Sequence, residues 1–270
     1  MVISTPNRTH VPLALKAMAA KRAVVVDKPL APSSAEARRL AEEARRRGVM
    51  LTVYQNRRWD GDFLTVRRLV ADGSLGDVHR FESRFERWRL TPKEGWRELG
   101  DPEEAGGLLF DLGTHLIDQA VCLFGPVTDV YAELDRRRAG VAVDDDVFVA
   151  LTHASGVRSH VWASVVAAQH GPRFRVLGSR ATYTKFGMDP QEDALRRGER
   201  PGDASWGLES PDHYGMLGIG DDARPIPTER GDYRQFYAGV VRSLRDGAPP
   251  PVDVSDAIAS LEIIERARDR

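Results

Sequence analysis

The stretch RAVVVDKPLAPSSAEARRLAEEARRRGVMLTVYQ, residues 22–55, decides the fold. Residues 22–27 are a short, unbroken run centred on three valines, the composition of a parallel strand covered on both faces. Pro29 and Pro32 break the run. Ser33 and Glu36 have capping-box spacing, and Ala37, Leu40, Ala41 and Ala44 share one face of a helix reaching about Arg47. Glu42–Arg46 and Glu43–Arg47 are i,i+4 pairs on its solvent side. Gly48 ends the helix, and 49–54 reads as another strand. Upstream, residues 2–4 read as the end of a buried strand, Thr5-Pro6-Asn7 as a turn and 11–20 as a helix. Strand end, helix, strand, helix, strand is the rhythm of a parallel, doubly wound sheet with right-handed crossovers.

After Gln55 the rhythm changes. Asp60 is placed to cap a helix ending near Asp72-Gly73. Residues 78–87 then alternate, with Phe81, Ser83 and Phe85 on one face and Arg80, Glu82, Arg84 and Glu86 on the other, the period of a sheet with one solvated face. Further strands are expected at 130–134, 147–153, 157–166, 174–177 and 181–185. No long crossovers separate the later ones, so the second sheet is expected to be open and mostly antiparallel. A helix is expected at 113–124, surface loops over 199–230, and two closing helices at 232–245 and 256–267. The fold class is therefore α/β: a partial doubly wound sheet over 1–54, an α+β domain with an antiparallel sheet over 55–250, and a final helical segment, 251–270, packing back on the first domain.

Composition narrows the function classes. With 41% hydrophobic and 29% charged residues, the chain falls in the range of globular proteins. Its 39 basic and 40 acidic side chains nearly cancel, giving no electrostatic reason to expect a nucleic-acid or anionic-membrane partner. No uninterrupted apolar run reaches the ~18 residues of a membrane span, and the N-terminus lacks signal-peptide form, so a cytoplasmic location is expected. One cysteine, Cys122, excludes a cysteine-cluster metal site; its apolar neighbours predict a buried, inert thiol. No G-x-G-x-x-G occurs, and a doubly wound sheet beginning on a three-residue strand end leads us to expect on the order of two βα units before Met1.

Three segments carry chemistry. Thr5-Pro6-Asn7-Arg8-Thr9-His10 lies at a strand-to-helix turn on the carboxyl edge of the sheet, where such folds bind ligands; an ordinary helix cap explains it equally well. Asp27-Lys28-Pro29 ends the next strand at the same edge, where partial desolvation makes a lysine useful for proton transfer, although a solvated lysine has the same pattern. In Gly106-Gly107-Leu108-Leu109-Phe110-Asp111-Leu112-Gly113-Thr114-His115-Leu116-Ile117-Asp118, the spacings of four and three put Asp111, His115 and Asp118 on one helix face. A carboxylate one turn from an imidazole can prepare it as a general base; a structural Asp–His pair or a metal site fits the same spacing.

The order and separation of these segments resemble the Gfo/Idh/MocA oxidoreductases. Asp27-Lys28-Pro29 resembles that family's E-K-P, with Asp for Glu, and 106–118 resembles its GG-x-L-x-D-x-G-x-H-x-x-D. Residues 54–64, 144–148 and 187–192 are most similar to its NADP-type scyllo-inositol dehydrogenase branch. The resemblance implies a Rossmann domain followed by an open-sheet domain, and an NAD(P)-dependent dehydrogenase, NADP favoured, acting on a sugar, cyclitol or related polyol. It implies Lys28 beside the nicotinamide and the reacting oxygen, His115 as acid/base, and Asp111 as its orienting partner or a ligand of a substrate hydroxyl. Thr5, Pro6, Asn7, His10, Asp27 and Pro29 would lie on the cofactor side, with Asn56 and Arg57 at the mouth between domains. It also implies a homodimer or higher homo-oligomer; from composition and spacing, no metal, nucleic-acid or membrane partner is expected. Arg84, Trp88 and Trp162 are candidates for contacting a polyol ring, packing being the expected role of both tryptophans. The rival expectation is a non-catalytic fragment or a substrate- or partner-binding module without cofactor binding.

Overall fold

Three parallel strands, β1 (Val2–Ile3), β2 (Val24–Asp27) and β3 (Leu51–Tyr54), make the first sheet of the computed structural model, which describes residues 1–92 and 94–269. Val24 pairs with Leu51 and Asp27 with Tyr54, so the carboxyl ends of β2 and β3 finish side by side. The connecting helices are α1 (His10–Ala19) and α2 (Ser34–Arg47). The Ser33 side chain caps α2 by accepting from the Glu36 amide, and Gly48 closes it in the left-handed conformation, φ 62°, where glycine has no Cβ to clash.

The second unit begins with α3 (Gly61–Ala71) and β4 (Val78–Glu86). A π-helical turn, Leu109–Gly113, leads directly into α4 (Thr114–Phe124). Strands β5 (Val127–Asp135), β6 (Asp146–His153), β7 (Arg158–Ser164), β8 (Phe174–Gly178) and β9 (Thr182–Lys185) follow. Next come α5 (Gln191–Arg196), β10 (Gly215–Gly218), β11 (Arg224–Ile226), α6 (Arg234–Asp246) and α7 (Val254–Arg268). The eight strands lie in the order β11-β10-β9-β8-β4-β7-β6-β5. Every pairing is antiparallel except β4 with β7, where Arg80 to Glu86 run parallel to Arg158 to Ser164.

One face of this sheet is the core. Phe81 on β4 meets Phe124 of α4 at 5.4 Å and Phe174 of β8 at 5.7 Å between ring centroids. Each such ring, fully buried, contributes about 1.5–3 kcal/mol. Most of the apolar stretch 102–124 is buried inside the fold. The opposite face is open: the Arg84 guanidinium lies 3.8 Å over Trp162, which tilts against Phe148 at 5.0 Å.

Helix α7 packs on α2, α4 and β3. Its Glu265 carboxylate takes the Ser34 amide at 2.7 Å and the Ser34 hydroxyl at 2.6 Å, placing a negative charge at the first turn of α2. Just before α7, the Val252 carbonyl accepts from Thr52 of β3 at 2.7 Å.

Three expectations are corrected. Residues 199–230 contain β10 and β11 rather than loops alone: these strands are short, carry Gly215, Gly218 and Pro225, and take their conformation from the edge of β9. Trp88 is 55% exposed instead of packed. Cys122 is exposed, because the core face of α4 is occupied by Leu116, Ile117, Ala120 and Phe124.

Candidate active site

Where β2 and β3 end, a cleft of about 690 Å³ separates the first sheet from the second unit. Asp27, Lys28, Asn56, Arg57, Asp111 and His115 line it, so the structure brings together six of the residues singled out from the sequence. Lys28 follows β2 directly. Its Nζ donates to the Asp111 backbone carbonyl and, at 2.8 Å, to Asp111 Oδ1, with side-chain exposures of 12% and 27%. Arg97 Nε lies 3.2 Å from the same carboxylate oxygen. Burial alone would raise the Asp111 carboxyl; Lys28, then Arg97 and Arg87, overcome it and hold its pKa at about 2. Asp27 turns back, its Oδ1 accepting from the Lys28 amide at 2.8 Å.

His115 does not pair with Asp111. Its Nδ1 lies 3.0 Å from Oε1 of Gln55, the residue directly after β3. With a carbonyl-type oxygen as acceptor, Nδ1 carries the proton and Nε2 keeps its lone pair. Burial lowers the imidazole pKa well below its ordinary value, and Lys28, Arg57 and Arg173 push it the same way, so the ring is neutral near pH 7. Phe85 packs edge-on against it, ring centroids 6.4 Å apart. The expected Asp111–His115 pair is broken by the π-helical turn: equal-face spacing at i,i+4 assumes α-helical winding, and Leu109–Gly113 winds more widely.

The paired glycines start this turn. A Cβ on Gly106 would lie 2.5 Å from the Leu99 carbonyl, and one on Gly107, at φ +93°, would meet Asp144 Oδ1 at 2.3 Å. Asp144 in turn accepts from the Leu109 amide through its carboxylate, at 2.7 Å, and from the Leu108 amide through its carbonyl. The motif glycines thus admit the brace that aims Asp111.

Other candidates make hydrogen bonds within the fold. Asn7 is buried and donates to the Glu104 carbonyl at 2.9 Å, tying the first turn to the second unit. His10 bridges two turns, with Nδ1 2.9 Å from the Pro29 carbonyl and Nε2 3.0 Å from that of Thr5. The Thr5 and Thr9 hydroxyls hydrogen-bond at 2.6 Å, and the Pro6 carbonyl accepts from Thr9. These residues are not among the described lining of the cleft. Arg57 is committed to Asp60, Glu192 and Tyr233. Asp118, expected on the face of Asp111 and His115, is gripped by Arg58 at 2.8 and 2.6 Å instead. Among the described residues no three His, Cys, Asp or Glu side chains converge as metal ligands.

Sequence reasoning missed Gln55, Arg97 and Arg87. The only signal for Gln55 was its place directly after a strand on the ligand-binding edge.

Comparison with known proteins agrees with this layout. Residues 1–55 match the profile of the oxidoreductase family, NAD-binding Rossmann fold, and 67–269 that of the oxidoreductase family, C-terminal alpha/beta domain. The chain is 40% identical over 267 residues to the uncharacterized oxidoreductase YdgJ of Escherichia coli, covering 98% of this chain and 76% of that protein. It is 34% identical to scyllo-inositol 2-dehydrogenase (NADP(+)) IolW of Bacillus subtilis, covering 100% and 75%. A crystal structure of an oxidoreductase from Bacillus cereus superposes with a TM-score of 0.89 at 32% identity, over 100% of this chain and 79% of that one.

Proposed function

Because this chain belongs to the Gfo/Idh/MocA oxidoreductase family, we propose that it oxidises or reduces a sugar, cyclitol or related polyol with NAD(P), NADP being preferred. The likeness to an NADP-dependent scyllo-inositol dehydrogenase supports both parts of this reading. The observation that carries it is the placement of Lys28 and His115 on one cleft at the carboxyl edge of the parallel strands.

The residues present suit the nicotinamide end of the cofactor: Lys28 and Asn56 face an open cleft, and His115 Nε2 has no hydrogen-bond partner among the described residues. When bound, the nicotinamide exchanges a hydride with the substrate carbon. The chain's own groups position the substrate and move a proton. An ammonium has three donors. Two of those on Lys28 go to Asp111, which leaves one for the oxygen on the reacting carbon. Asp111, ionised throughout the physiological range, keeps that donor aimed. The neutral His115 accepts the hydroxyl proton at Nε2 in the oxidation direction, with Gln55 holding the ring and stabilising the charge it gains. The reading extends to a cytoplasmic homo-oligomer pairing through the open sheet face, where Phe148 meets Tyr131 edge-on and tilts against Trp162.

The test is spectrophotometric: NADPH or NADH absorbance followed with a panel of cyclitols and sugars. Turnover by the chain, lost on Lys28→Met and on His115→Asn, is expected. Absence of both turnover and measurable NADPH or NADH binding would leave a non-catalytic binding module as the better description, whereas micromolar cofactor affinity would rule that module out.

A further inference from the structure

The cleft is rich in cations, and they are unequally occupied. Lys28 and Arg97 are bound to Asp111, Arg57 to Asp60 and Glu192, Arg138 to Glu98 and Asp145, and Arg196 to Glu192 and Asp193. Arg89 reaches Glu98 only at 3.9 Å. Among the described residues, Arg87 is the one lining cation whose guanidinium has neither a hydrogen bond nor a carboxylate at ion-pair distance.

Its position follows from the strand that carries it. Side chains two apart on an extended strand point the same way, about 6.6 Å apart. Phe85 packs against His115, and the backbone stays paired past β4, with the Arg87 amide donating to the Ser164 carbonyl at 2.9 Å. Arg87 therefore projects on the His115 side, one step further into the cleft. Burial pulls its pKa down, opposed by Asp111 and Glu192, both of which are already engaged by other cations. The guanidinium lines the open cleft, so water can solvate it there and a ligand anion can take that water's place.

We propose that Arg87 receives an oxyanion carried by the substrate, a carboxylate or phosphate, so that the reacting molecule is a sugar or polyol derivative that bears an acidic group. This rests on the oxidoreductase reading for the reaction but is tested without it. A guanidinium pairs with either anion through two parallel N–H···O bonds, and the reacting carbon of such a substrate lies beside Lys28 and His115.

Cofactor-free protein is titrated by calorimetry with D-glucose, D-glucuronate and D-glucose 6-phosphate, in the wild type, Arg87→Gln and Arg87→Lys, with thermal melting to confirm folding. At least one acid is expected to bind roughly 10- to 100-fold tighter than D-glucose, the range of one hydrogen bond to a charged group. Which acid wins separates carboxylate from phosphate. Arg87→Gln should abolish the preference and Arg87→Lys retain part of it. An unchanged preference in Arg87→Gln, equal affinities for acid and neutral sugar, absence of binding by either acid, or displacement of the acid by saturating NADPH (Arg87 then serving the cofactor) would each overturn the proposal. Hydride transfer is scored separately at 340 nm, so the acid preference can stand or fall independently of the reaction.

Discussion

Removing the Lys28 ammonium tests the electrostatics of the cleft most directly. Asp111 has its carboxyl held at about 2 instead of 3.8, which at 1.36 kcal/mol for each tenfold in proton affinity is ~2.4 kcal/mol favouring the ionised form. Lys28 is the largest favourable contributor, and with it gone burial acts against a charge steadied only by Arg97 and Arg87. Breaking a buried pair costs about 3–5 kcal/mol. Asp111 is 27% exposed, so Lys28→Met should lose nearer 2–3 kcal/mol at pH 7 by this argument. The sign with pH is fixed: a carboxyl with a lowered folded pKa gives stability that is complete above about 4 and lost as pH falls towards 2. Urea denaturation of the wild type, Lys28→Met, Asp111→Asn and the double variant should return a coupling energy of about 2 kcal/mol at pH 7. The acid slope between pH 4 and 2 should flatten in both single variants. A coupling energy below ~0.5 kcal/mol, the level of an exposed surface pair, would refute the reasoning.

Three further outcomes follow from the same geometry. His115 has a depressed folded pKa, so the unfolded chain takes up its proton first; stability should fall by up to ~1.4 kcal/mol per pH unit below about pH 6.5, and His115→Asn should remove that component along with 10²–10⁴-fold of turnover. Arg58 joins Asp118 to Asp256 in a nearly buried site; Arg58→Met should cost ~3–5 kcal/mol, seen as a melting point lower by about 10 °C, with partial recovery in Arg58→Met/Asp118→Asn. Gly207 sits at φ +66° with the Gly231 carbonyl where a Cβ would lie, 1.8 Å away, whereas Gly48 at φ +62° faces open space. Gly207→Ala should therefore lose more than about 3 kcal/mol and Gly48→Ala only about 1, read from urea midpoints.

The opening alternation of strands and helices was legible because buried parallel strands and capped helices have local signatures: the valines of β2 and the Ser33–Glu36 cap appear where their patterns put them. Lys28 and His115 were legible as members of one site through the order and separation of the motifs that carry them, which resemble those of the family. What was not legible was partnership. Spacing suggested Asp111 for His115, but the π-helical turn rotated that carboxylate onto Lys28, and Gln55, 60 residues away, took the imidazole. For Asn7 and His10 the polar type at a ligand-binding edge was legible, but their carbonyl partners, 97 and 19 residues away, were not. The edge strands β10 and β11 escaped because glycine and proline hide a conformation that only a neighbouring strand imposes.

The seat of α7 on α2 and β3 also sets a timetable. Thr52 and its acceptor carbonyl at Val252 are 200 residues apart in the chain. At ~5–20 residues per second of synthesis, β3 therefore waits on the order of 10–40 s on the ribosome before that partner emerges. Through that interval the buried flank of α2, including Ser34 and its missing Glu265, stands open to chaperones and to neighbouring nascent chains. Slowing translation of the codons for residues 252–265 would lengthen that exposure without altering a single residue of the finished protein.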